Sequence, residues 1–234
     1  MNRLRRALGA FSGTPLHPQW LVGRRKCPPA VSGATGLVLD IGAGDRWIER
    51  ELPAEASYVA LDYPATGLSL YGARPDVLAD ATRLPLQDAC VDMVVCLEVI
   101  EHVRQPDALL VEVGRVLRVG GRAFFSMPFL YPVHDAPHDY QRWTEYGWVR
   151  SVALSGLEVV EMRRSGRAIE CAGLLLCLAL AAPLQHQPAW KAALLAPFLA
   201  MLLPIINLGA WALGRVWPEW QGMSTGLYLE LRKP

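Results

Sequence analysis

Val38-Leu39-Asp40-Ile41-Gly42-Ala43-Gly44-Asp45 carries an apolar run straight into a glycine turn. A short apolar run bounded by such a turn reads as a buried strand that opens into a helix. Gly42 and Gly44 let the backbone turn sharply and let a ligand approach with no Cβ in the way. Further on, Tyr58-Val59-Ala60-Leu61-Asp62 is a second strand ending in a carboxylate, the placement from which an acid accepts both hydroxyls of a ribose. A dinucleotide fingerprint needs a third glycine at position 47, which is Trp47. That bulk disfavours a diphosphate over the helix start, and with it a nicotinamide-dependent oxidoreductase, but does not affect a ligand without phosphates.

Outward from this turn, apolar runs at Leu37–Ile41, Tyr58–Leu61, Val77–Ala79, Val91–Leu97 and Arg122–Met127 alternate with helix-like segments at Trp47–Leu52 and Gln105–Leu117. The alternation predicts an α/β fold, a mostly parallel sheet with crossover helices. Gly120 and Gly121 are expected to end the second helix. A Pro, His and aromatic rich loop then runs from Pro128 to Trp143, followed by a helix from about Thr144 to Ser155, capped by Thr144 or a near neighbour. Leu157–Arg163 and Gly226–Leu231 are further strand candidates, and no internal repeat is visible.

The same residues resemble a class I S-adenosylmethionine-dependent methyltransferase of the methyltransferase-11-like kind. Leu39-Asp40-Ile41-Gly42-Ala43-Gly44 matches the family's strand-loop motif and Asp62 its ribose acid. Ala79-Asp80-Ala81-Thr82-Arg83-Leu84-Pro85-Leu86 is similar to the next signature, in which Asp80 would bond the adenine amino group and Ala81 the ring edge. Val91-Asp92 leads into Val94-Val95-Cys96-Leu97-Glu98-Val99-Ile100-Glu101-His102-Val103, whose start would line the methionine end of the cofactor at Leu97. Leu117-Arg118-Val119-Gly120-Gly121 matches the turn before the fifth strand, so the likeness runs in order over nearly all of residues 36–128. It implies a Rossmann-like seven-stranded, mostly parallel sheet with helices on both faces and an antiparallel last strand, for which Gly226–Leu231 fits. It also implies S-adenosyl-L-methionine held by Asp40, Gly42, Gly44, Asp62, Asp80, Ala81 and Leu97. The chain departs from the family at Arg46, where many members have a third glycine; Asp45 and Arg46 are candidates to reach the cofactor's carboxylate or ribose instead.

Methyl transfer aligns an acceptor in line with a sulfonium methyl and, for an oxygen acceptor, removes a proton. Loops at the carboxyl ends of strands hold ligands in such sheets, which points to Pro128–Trp143. His134 and His138, with Asp135 and Asp139 beside them, form a candidate base and its orienting carboxylate, so His134, His138 and Asp139 are the catalytic candidates. These side chains could instead only knit the loop together. Glu101 and His102 are an alternative base pair, or a helix start. No metal site is expected from His134 and His138, because Pro132 and Pro137 prevent a regular helix from bringing them to one face. The loop also resembles that of a subgroup associated with surface glycans and lipids, which implies a hydrophobic or lipid-linked acceptor.

Lys and Arg total 23 against 22 Asp and Glu, so nothing calls for nucleic acid as a partner. Arg3, Arg5, Arg6, Arg24, Arg25 and Lys26 nevertheless all precede the first acid, Asp40, and Leu4, Leu8 and Phe11 give the lead-in a helical spacing. Five scattered cysteines without a C-x-x-C pair suit reduced thiols, and the lead-in lacks the apolar core of a secretory signal, so the cytosol or its membrane face is expected. Residues 168–220 interrupt the domain formed by residues 36–167 and 221–234, after a lead-in of residues 1–35. Cys171–Leu184 and Ala192–Gly214 contain no charged side chain. The second run is long enough to span a bilayer if helical, and the first is too short. Both flanking strands must join one sheet, so crossings must be even in number. With Pro197 and Pro204 in the second run, a bent, shallow helical hairpin in the membrane interface is expected, with a soluble lid or a homodimer surface as the other options. A membrane-associated methyltransferase thus stands beside a non-catalytic cofactor-binding or assembly protein of the same fold.

Overall fold

The computed structural model describes residue 11, residues 13–67 and residues 74–234. The helical spacing of Leu4 and Leu8 lies outside the described residues. Two compact units emerge, one made of Lys26–Phe129, Val133–Arg163 and Leu227–Pro234, the other of the described residues up to Arg25 with Leu130–Pro132 and Arg164–Gly226.

The first unit carries the sheet. Its strands are β1 (Gly36–Ile41), β2 (Ala56–Asp62), β3 (Val77–Leu78), β4 (Val91–Leu97), β5 (Leu117–Pro128), β6 (Glu158–Ser165) and β7 (Gly226–Arg232). They lie in the order β3-β2-β1-β4-β5-β7-β6. β1 pairs parallel with β2 and β4, β2 with β3, and β4 with β5. β7 runs against its neighbours: the Gly120 N–H donates to the Lys233 carbonyl, Arg122 binds Glu230, Arg232 meets Glu158 and the Thr225 N–H donates to the Ser165 carbonyl. Rising numbers on one strand meet falling numbers on the next, the signature of antiparallel pairing.

Alternate strand residues face opposite sides of a sheet. Leu39, Ile41, Val94, Cys96 and Phe125 enter one core with Leu109, Val113, Trp148 and Val152, which come from α1 (Pro106–Val116) and α2 (Glu145–Ala153). Val38, Met93, Val95 and Phe124 enter a second core with Val31 and Ile48, which sit on short 3-10 turns at Pro29–Gly33 and Ile48–Glu51. The helix expected over Trp47–Leu52 is thus a single turn, because Trp47 packs against this second core. Thr144 caps α2 as expected, its Oγ1 accepting the Gly147 N–H at 3.2 Å.

Gly120 and Gly121 do not end a helix. α1 stops at Val116, Leu117 already pairs with Val91, and the register jumps to Met93 with Arg122. The two glycines belong to a bulge in β5 that lets the strand rejoin the ladder.

The second unit contains α3 (Ala168–Ala181), a turn at Ala182–His186 and α4 (Ala189–Val216). A Cβ on Gly173 would lie 2.5 Å from that of Ala210, and Cys177 Sγ lies 3.4 Å from Asn207 Oδ1, so the two helices run antiparallel as a hairpin. α4 is one helix of 28 residues with Pro197 and Pro204 inside it. With the turn, the first apolar stretch extends over 19 residues, Ala168–His186, and is longer than the sequence run indicated. On α4 only Leu203, Asn207, Ala210 and Gly214 are buried, one stripe at helical spacing. Trp190, Leu194, Phe198, Met201 and Ile205 are each 61–65% exposed. Asn207 is fully buried and donates to the carbonyls of Pro15 and His17 at 2.7 and 3.0 Å.

Candidate functional site

The strand order places the carboxyl ends of β1, β2, β3 and β4 side by side, with β1 between β2 and β4 at the point where the winding reverses. Ligands sit at such switch points in open α/β sheets. Gly42 leaves β1 with φ 72°, and a Cβ there would lie 2.3 Å from a Val99 methyl, so only glycine fits. Beside it, a Cβ on Gly44 would meet nothing closer than 3.9 Å, which leaves that backbone open to a ligand. The Gly44 N–H donates to Asp62 Oδ2 at 3.1 Å and the Tyr63 N–H to Asp62 Oδ1 at 2.8 Å. Two backbone donors fix the Asp62 carboxylate, and each oxygen keeps lone-pair capacity for a hydroxyl. Asp80 turns its Oδ1 toward the Thr82 N–H at 2.9 Å and hydroxyl at 2.8 Å, while Ala81 is buried beside it and Leu97 is half-buried at the end of β4. These residues gather along one edge of the sheet. Their donors and acceptors suit a nucleoside with a ribose diol and an adenine.

Asp62→Ala is therefore expected to weaken S-adenosylmethionine binding by about 1.5–3 kcal/mol through the loss of charge-assisted hydrogen bonds. Calorimetric titration measures it, and an unchanged affinity in a folded variant removes Asp62 from the site.

Asp40 is 4% exposed and accepts the Tyr58 hydroxyl at 2.6 Å. Burial pushes its carboxyl up to about 7 and Asp62 adds to the rise, against the opposing pull of the Tyr58 hydrogen bond and Arg46. The folded chain thus holds this proton more tightly than the unfolded one. Stability contributed here falls as pH climbs from the ordinary carboxyl range toward 7 and stays level above it. Asp40→Asn is expected to gain roughly 2–4 kcal/mol over the parent at pH 8, with little gain at pH 4. Thermal melts of both proteins without cofactor test the sign. Arg46, a candidate for cofactor contact, binds Glu49 at 2.9 Å and Asp76 at 2.8 Å.

The loop after β5 folds onto the turn after β4. His134 Nδ1 lies 3.2 Å from Asp139 Oδ2, and Asp139 also takes the His134 N–H at 3.0 Å and both terminal nitrogens of Arg142. Burial pushes the Asp139 carboxyl up, but Arg142 and the His134 N–H outweigh it and hold it at about 2. His138 goes elsewhere: its ring nitrogen faces the Tyr140 hydroxyl at 3.2 Å. Only its carbonyl reaches inward, 2.8 Å from His102 Nδ1. Of the three catalytic candidates the fold thus joins His134 with Asp139 and leaves the His138 imidazole apart.

In the place of His138 stand Glu101 and His102. Glu101 is fully buried, with Oε1 3.6 Å from His102 Nε2 and 3.8 Å from His134 Nε2. The two imidazoles meet edge to face at 4.9 Å. Burial, then Glu98, drives the Glu101 carboxyl well above its ordinary range. Glu98 holds a left-handed backbone, φ 56°, and its carboxylate accepts the Ser126 hydroxyl at 2.6 Å. Glu101 and His102 are the alternative base pair of the sequence, whereas Glu98 and Ser126 are not among its candidates. The Glu-x-x-Glu-His spacing of Glu98, Glu101 and His102 is the local sequence mark of this cluster.

Residues 39–125 match a family described as a methyltransferase domain. Over 111 residues the chain is 37% identical to the demethylmenaquinone methyltransferase of Mycobacterium sp. strain KMS, covering 45% of this chain and 48% of that protein. Over 156 residues it is 26% identical to the ubiquinone biosynthesis O-methyltransferase of Hahella chejuensis, covering 54% and 64%. The chain thus spans about half to two thirds of the length of these relatives. Among solved structures it is similar to the geranyl diphosphate C-methyltransferase of Streptomyces coelicolor, with TM-score 0.52 and 12% identity over 87% of this chain and 77% of that one. It is also similar to the cyclase SpnF, with TM-score 0.55 and 14% identity over 86% and 76%. At these identities the likeness is one of fold, which a methyltransferase and a cyclase share.

Proposed function

We propose that this chain, whose residues 39–125 form a class I S-adenosylmethionine-dependent methyltransferase domain, methylates an oxygen of a hydrophobic or lipid-linked acceptor at the cytosolic face of a membrane. Asp62 would hold the ribose, Asp80 and Ala81 the adenine, and Gly42, Gly44, Asp40 and Leu97 the turn and the methionine end. The cofactor supplies a methyl group on sulfonium sulfur. The chain's own task is to seat the acceptor oxygen and take up its proton, which the His134–Asp139 pair is placed to do beside Glu101 and His102.

The observation that carries the membrane part is α4. Apolar side chains as exposed as Leu194, Phe198 and Met201 form a continuous apolar surface of the kind that marks an interaction site. Trp190 at its start and Trp217 and Trp220 just beyond its end are 58–66% exposed, as suits a membrane interface. Asn207 binds the carbonyls of Pro15 and His17, so irregular backbone lies against the hairpin. Lipid-exposed irregular backbone is not tolerated in a bilayer core, which favours a hairpin lying in the interface over one that spans. Exposed Arg24 and Lys26 would each add about 1 kcal/mol at an anionic surface. The relatives' names, ubiquinone biosynthesis and demethylmenaquinone methyltransferase, support an apolar acceptor.

The test is transfer of labelled methyl from S-adenosylmethionine by the full-length protein in membranes. Label in the organic-extractable fraction is expected. Tight cofactor binding without transfer to any extract would favour the non-catalytic reading.

A further inference from the structure

We propose that Glu101, His102 and His134 form a binding site for one divalent cation of the zinc and manganese class, next to the cofactor-binding edge of the sheet. One ligand atom from each residue lies within 4.8 Å of the others. The Glu101 edges to the two Nε2 atoms are 3.6 and 3.8 Å, too long for hydrogen bonds. A tetrahedral ion bound at about 2.0–2.2 Å has ligand-to-ligand edges of roughly 3.4 Å, so the two Glu101 edges need to close by a few tenths of an ångström and the edge between the imidazoles, within 4.8 Å, by up to about 1.4 Å.

Each imidazole is held from behind in the way metal-binding histidines are. His102 Nδ1 faces the His138 carbonyl at 2.8 Å and His134 Nδ1 faces the Asp139 carboxylate at 3.2 Å. With those nitrogens protonated, both Nε2 lone pairs turn toward Glu101. Glu101 supplies the second observation. It is fully buried, and among the described residues neither of its carboxylate oxygens has a hydrogen-bond partner on another residue. A buried carboxyl left in that state is costly, and a cation held between it and the two imidazoles satisfies it. Arg142 acts electrostatically on Glu98, Glu101 and Asp139, which are acidic groups a cation would also face.

Two imidazoles and one carboxylate leave a coordination position open, as in catalytic rather than structural sites. With the ion bound, His134 Nε2 is a ligand and no longer a base; the open position would then take the acceptor oxygen and favour its deprotonated form, the proton leaving to water in place of His134. That role rests on the methyltransferase reading; binding of the ion does not.

The full-length protein in detergent, stripped with a chelator, is titrated calorimetrically with Zn2+ and separately with Mn2+. One ion per chain with a dissociation constant on the order of micromolar or tighter is expected, weakened roughly 100-fold or more in Glu101→Gln and in His102→Asn. Co2+ loaded in place of zinc should show ligand-field bands without a thiolate charge-transfer band, which separates this site from the cysteines. S-adenosylmethionine affinity, titrated on the same samples, should be unchanged in both variants. Absence of a stoichiometric ion in the parent protein, an ion undiminished in both variants, or a thiolate band would overturn the inference. If the parent binds the ion but not S-adenosylmethionine, the ion site stands and the methyltransferase reading falls.

Discussion

Replacing Leu194, Phe198, Met201 and Ile205 together by glutamate is expected to move the protein from the membrane fraction to the soluble fraction, with a fall in partition of roughly a thousandfold or more. Each of these side chains is 61–63% exposed on α4. Full burial of such a side chain contributes about 1.5–3 kcal/mol, so four partly exposed ones contribute on the order of 4 kcal/mol or more, at 1.4 kcal/mol per factor of ten. The substitution leaves the buried stripe of Leu203, Asn207, Ala210 and Gly214 untouched. It is therefore cleaner than excising residues 168–218, which would also release Pro15 and His17 from Asn207. Because the apolar contribution is insensitive to salt, high salt or carbonate should fail to release the parent protein. Recovery of the parent as a monodisperse soluble species without detergent would remove the membrane assignment; a soluble dimer would give α4 a second copy as its cover.

His134→Gln is expected to lower turnover by roughly 100-fold or more while leaving S-adenosylmethionine affinity unchanged, and His138→Gln to leave both near the parent values. The contrast follows from geometry: His134 faces Asp139 and Glu101, whereas the His138 ring faces Tyr140. Single-turnover kinetics with saturating cofactor, beside calorimetric titration, separate the two quantities. If His138→Gln proves the slower variant, the loop is arranged differently during turnover from the structure described. If neither slows transfer, the acceptor's proton leaves by another route and the His134–Asp139 pair is structural.

The sequence alone determined the sheet, the glycine turn and the match of residues 39–125 to a methyltransferase domain. Those features are local: Leu39–Gly44 and Tyr58–Asp62 each write strand, turn and terminal acid within a few residues, and periodicity is visible wherever one element is contiguous. It also showed an apolar stretch too long for a connecting turn. Only the tertiary structure decided the rest, because the rest depends on residues distant in sequence meeting in space. Leu117 pairs with Val91, which turned Gly120 and Gly121 from a helix end into a strand bulge. α4 runs through Pro197 and Pro204 as one helix, a continuity that a proline's local preference does not predict. His134 and His138 are equivalent as letters, each beside an aspartate. They diverge because the loop folds back onto the turn after β4, where Glu101 and His102 stand, and that turn receives the ring of one histidine and the carbonyl of the other.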